Sequence, residues 1–61
     1  MDFQKFKDEV RKRIMEIEEC SYVEADNIVT KWIEEIEDAY ESDQSEDSID
    51  YVAKEIVCYN F

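Results

Sequence analysis

The sequence predicts an all-α fold, a small up-down-up three-helix bundle, and three observations predict it. In 61 residues there is neither glycine nor proline, so nothing favours the positive φ of a hairpin turn and nothing interrupts a helix. Apolar residues recur at spacings of three and four in three separate stripes. The segments joining the stripes are short, which implies antiparallel neighbours. A chain of about 60 residues makes a single domain, here residues 1–61, and buries only about 60% of the surface its unfolded form exposes.

The first helix is expected over about residues 3–19, from the stripe Phe3, Phe6, Val10, Ile14 and Ile17. The second, about 22–41, carries Ala25, Ile28, Val29, Trp32, Ile36 and Ala39, widened by Tyr22, Ile33 and Tyr40. One continuous coiled coil is excluded, because the first heptad carried onward puts Glu24, Lys31 and Asp38 in the seam. A capping box stands at that break: Ser21 can accept from the Glu24 N–H while the Glu24 side chain reaches back. The chain offers no glycine to end the first helix there.

The third helix, about 46–59, follows the polar segment from Glu41 to Ser48, where Asp43 and Ser45 compete as N-cap. Its stripe is Ile49, Val52, Ala53 and Ile56, flanked by Val57 and Tyr59. The second helix has the broadest apolar face and is expected to touch both others, with Trp32 in the core. A helical hairpin that forms a dimer is the competing architecture.

Charge is distributed unevenly. The chain carries a net −11, yet residues 1–20 hold five bases against six acids, whereas residues 21–61 hold two bases against twelve. From Glu34 to Asp47 there are eight acids in fourteen residues and no base. Part of this charge has a structural use, since in an antiparallel hairpin Lys5, Lys7 and Arg11 would face Glu34, Glu35, Glu37 and Asp38. The rest opposes helix stability. Glu34, Asp38 and Glu41 are like charges three and four apart, set in the half of a helix whose dipole favours cations. Asp43, Glu46 and Asp47 extend the ridge across the turn.

Several chemistries lack their residues. There is no histidine, so the commonest general base and metal ligand is missing, and neither cysteine has a partner for nucleophilic catalysis. No catalytic residue, cofactor or metal site is therefore expected. Asp43, Ser45, Asp47 and Asp50 imitate alternate calcium ligands, but Ser48 stands where the loop needs glycine and Lys54 where it needs glutamate. The negative field opposes direct nucleic-acid binding. No run is long and apolar enough to span a membrane, and no leader pattern follows Met1, so the cytoplasm is the expected compartment. Cys20 and Cys58 are expected as free thiols.

Two functional expectations follow. In the first, Glu34, Asp38, Glu41, Asp43, Glu46 and Asp47 form a partner-binding ridge that docks on a basic protein surface. In its sharper form the carboxylates, about 5–6 Å apart at one-turn spacing, stand in for nucleic-acid phosphates and inhibit a nucleic-acid-binding protein. Size and charge resemble those of compact acidic helical inhibitors made by phages and mobile elements, which would act in a host cytoplasm; the likeness is of composition. In the second, a structural module self-associates through Met15, Tyr51, Cys58 and Phe61, and its acids provide solubility.

Overall fold

The computed structural model describes residues 1–60, and those residues form four α-helices with no strand: α1 (Phe3–Glu18), α2 (Tyr22–Lys31), α3 (Ile33–Ser42) and α4 (Glu46–Asn60). The all-α class holds, while the helix number differs from the three expected. The predicted second helix is divided at Trp32, whose backbone (φ −104°, ψ 23°) departs from helical values. Backbone bonds continue on both sides, from Trp32 N–H to the Ile28 carbonyl (3.0 Å) and from Ile36 N–H to the Trp32 carbonyl (3.1 Å). Two residues upstream the Thr30 hydroxyl donates back to the Asp26 carbonyl (2.9 Å), a bond that bends helices. The division thus comes without proline or glycine.

Local chemistry explains the other boundaries. Asp2 caps α1, its carboxylate accepting from the Lys5 N–H at 2.8 Å. Glu19 ends α1 in the left-handed region (φ 51°, ψ 40°), filling a role usually given to glycine. Ser21 caps α2, accepting from the Glu24 N–H at 3.2 Å, the forward half of the expected capping box. Of the two competing caps before α4, Ser45 accepts from the Ser48 N–H (3.3 Å). Asp43 instead folds back on Ser45, accepting from its N–H and its hydroxyl at 3.0 Å each.

The core joins Phe6, Val10 and Ile14 of α1, Ala25, Ile28 and Val29 of α2, Ile36 of α3, and Ile49, Val52, Ala53 and Ile56 of α4. The hub is α1, which packs against all three other helices and most extensively against α4. That corrects the expectation that the second helix would be central; once divided, its two halves share the work. Ile17, placed on the first apolar stripe by spacing, is exposed, as are Tyr22 and Tyr59, placed at the edges of the other two. Trp32 is half-buried beside the core, at the division.

Aromatic contacts close the ends of the bundle. Tyr40 meets Phe3 and Phe6 edge-on, each ring pair 5.4 Å apart, and its hydroxyl donates to the Met1 carbonyl at 2.9 Å. Trp32 lies against Tyr59, with ring centres 6.3 Å apart.

Candidate partner-binding surface

Ion pairing follows a different plan from the one spacing suggested. Arg11, only 8% exposed, is held by Asp8 on its own helix and by Asp26 of α2 at 3.1 Å. Its guanidinium also lies over the Tyr22 ring, 4.7 Å from the centroid. Arg13 reaches Asp50 of α4 at 3.4 Å, and Lys54 reaches the same carboxylate at 2.9 Å. Lys12 pairs with Glu9 one turn earlier. The expected partners Glu34, Glu35, Glu37 and Asp38 join none of the ion pairs among the described residues, nor do Lys5 and Lys7. Basic side chains of α1 do tie the bundle together, but through Asp26 and Asp50.

All six ridge residues are exposed, and none has a cationic partner within 4.0 Å among the described residues. Their electrostatic settings nonetheless differ. Glu34 falls in the first turn of α3, because the division at Trp32 creates a new helix start. Glu46 and Asp47 occupy the first turn of α4, where the positive end of the dipole favours them. Asp43 is engaged in the turn. Asp38 and Glu41 alone lack such a local explanation: Asp38 stands in the middle of α3 and Glu41 in its last turn, which has no base.

Two open grooves adjoin this region. One, of about 340 Å³, runs between α3 and α4, with Glu35 and Asp38 on one wall and Ser48, Tyr51 and Glu55 on the other. Ser48 ties the two walls together, its hydroxyl donating to the Ala39 carbonyl at 3.4 Å. The second, of about 540 Å³, follows the outer face of α4 past Asp47, Asp50, Tyr51, Lys54 and Cys58 to Tyr59. Tyr51 belongs to both and is 68% exposed; Tyr59 is 73% exposed. Glu55, one turn from Tyr51, pushes the phenol above its ordinary range by hydrogen bonding and by charge.

Asp38 therefore shares the α3–α4 groove with Tyr51 and Asp47 shares the outer groove with it, while Glu34, Glu41, Asp43 and Glu46 line neither groove. Glu35, Asp50 and Glu55 join the surface although the ridge did not include them; Glu55 was readable as the residue four after Tyr51. For self-association, Tyr51 and Cys58 are outward as expected and both cysteines are free. Met15 is less outward than expected: it is half-buried and packs on the core, which leaves only part of its side chain at the surface. Phe61 lies outside the described residues. Among the described residues no three metal-ligating side chains converge, and no helix is long and apolar enough to cross a membrane. Compared with known proteins, the chain matches no family model, no curated sequence and no solved structure.

Proposed function

We propose that this protein is a non-catalytic binding module that docks its acidic surface on a basic partner protein. The observation that carries the reading is the exposed, unpaired state of Asp38 and Glu41, like charges three residues apart on α3, with Glu41 in the last turn where the dipole favours cations. These charges act against their own helix, and a cost retained in the free protein is recovered where an opposite charge arrives. In the sharper form of the proposal, the partner is a nucleic-acid-binding protein and the carboxylates occupy the place of phosphates. Cytoplasmic action, in a cell of origin or in the host of a phage or mobile element, belongs to the same proposal.

The test is capture of partners from the source cell by the wild-type protein and by an Asp38→Lys/Glu41→Lys variant, at low and high salt. Binding should fall steeply with salt and be lost in the variant, whose helical circular dichroism stays intact. Binding that survives both would overturn the proposal. A second reading, self-association through the outer face of α4, is favoured by the exposure of Tyr51 and Cys58. Sedimentation of a monomer at high protein concentration removes it.

A further inference from the structure

We propose that the two grooves beside Tyr51 seat arginine side chains of the basic partner, with the phenol ring as their stacking platform and Asp38, Glu55 and Asp47 as carboxylate acceptors around it. This deepens the function proposed above and rests on it. Charge complementarity selects the occupant. The α3–α4 groove carries three carboxylates and no base. The outer groove has a single base, Lys54, already bonded to Asp50 at 2.9 Å. A second copy of this chain would bring the same negative charge and is disfavoured by it.

Arginine is preferred to lysine because its planar guanidinium can stack on a ring and fork to carboxylates at once, whereas a hydrated ammonium binds as a point charge. The chain itself makes this contact elsewhere. Arg11 lies 4.7 Å over Tyr22 while pairing with Asp8 and Asp26. Neither arginine lines the grooves beside Tyr51: Arg11 is engaged by Asp8 and Asp26, and Arg13 by Asp50 at the edge of the outer groove. At the far end of the outer groove Tyr59 offers a second ring, two helical turns from Tyr51.

The experiment is calorimetric titration of the full chain with oligoarginine and oligolysine peptides of equal length, at low and physiological salt. The wild type should bind oligoarginine about two- to fivefold more tightly, the ratio expected for one exposed cation–ring contact. Tyr51→Ala should remove that preference, and Tyr51→Phe should keep it. Proton NMR on the wild type supplies a readout independent of folding in the variants: oligoarginine should shift the Tyr51 ring signals and leave those of Tyr40 unmoved. Equal binding of the two peptides, or a preference that survives Tyr51→Ala, overturns the arginine proposal while leaving the basic-partner reading standing. Failure of both peptides to bind overturns both. If sedimentation shows that Tyr51→Ala turns a dimer into a monomer, the face is a self-contact and the proposal is likewise overturned.

Discussion

The indole N–H of Trp32 donates to the side-chain oxygen of Asn60 at 3.3 Å, joining the division between α2 and α3 to the last described residue of α4. With Tyr59 leaning on the same indole, the end of α4 is attached where the second helical segment bends. Losing the hydrogen bond alone, in Asn60→Ala, should cost about 0.5–1 kcal/mol. Trp32→Ala should cost about 2 kcal/mol, less than a fully buried aromatic, because Trp32 is half-buried. Urea unfolding checks both, by Trp32 fluorescence for the first variant and by circular dichroism for the second. An unchanged midpoint in Asn60→Ala would show that the attachment contributes nothing.

Among the described residues Arg11 is the one buried charged side chain, and its value is divided among two carboxylates and a ring. Asp8 and Asp26 are 39% and 47% exposed, so solvent screens their side of each pair. Much of what Arg11 contributes is then the packing of its stem against α2. Arg11→Met should cost less than Arg11→Ala, for which about 2 kcal/mol is expected. Asp26→Asn should cost under about 1 kcal/mol. A double-mutant cycle between Arg11 and Asp26 measures the pair directly. Loss of more in Arg11→Met than in Arg11→Ala would sink this division.

Asp50 gives the bundle a defined response to acid. Lys54 holds its carboxyl below the ordinary carboxylate range, by a hydrogen bond and by charge, with Arg13 adding to the effect against partial desolvation. A carboxyl depressed in the folded state stabilises above its unfolded value and loses that contribution as pH falls through the folded one. The thermal midpoint of wild type should thus exceed that of Asp50→Asn at neutral pH. The gap should close below pH 3.8, the ordinary value for the group. A gap that persisted in acid would place the effect of the substitution in packing instead of charge.

The helix interiors were legible in the sequence because period and burial agree there. Phe6, Val10 and Ile14, and Ile49, Val52, Ala53 and Ile56, occupy the core that their spacing assigned. The bend at Trp32 was not, because the apolar stripe runs through it unbroken and its partners, Asn60 and Tyr59, are about thirty residues away. Exposure of the ridge acids was legible from the phase of α3. Their convergence was legible only in part: Asp47 stands four residues before Tyr51 on α4, whereas Asp38 shares a groove with Tyr51 because of how α4 lies against α3, and no local pattern encodes that approach. Met15 shows the reverse effect, since a side chain off the main stripe of α1 is still partly covered when the helix is the hub.

The acids of the ridge should separate into two groups when reversed in charge. Glu46→Lys and Asp47→Lys place a cation at the start of α4 and should each destabilise by about 0.3–1 kcal/mol. Asp38→Lys and Glu41→Lys remove like-charge neighbours near the end of α3 and should each stabilise by a few tenths, about 0.2–0.5 kcal/mol. Thermal unfolding at low salt resolves the signs. Destabilisation by all four would mean that Asp38 and Glu41 serve the fold after all, and would remove the argument for a binding role.

Glu19 holds the turn between α1 and α2 in a conformation that its Cβ disfavours, at φ 51° and ψ 40°. Its side chain is exposed, so little packing is lost by shortening it. Glu19→Gly removes the steric penalty and adds freedom to the unfolded chain; where the native φ is left-handed the first effect exceeds the second. The variant should gain about 0.5–1 kcal/mol. In urea the Trp32 fluorescence transition should move to higher concentration with unchanged slope, the signature of added stability without altered compactness. Glu19→Val should move it the other way, because a β-branched residue tolerates this region least. A lower midpoint for Glu19→Gly would mean that the turn is set by contacts of the Glu19 side chain and not by the backbone geometry.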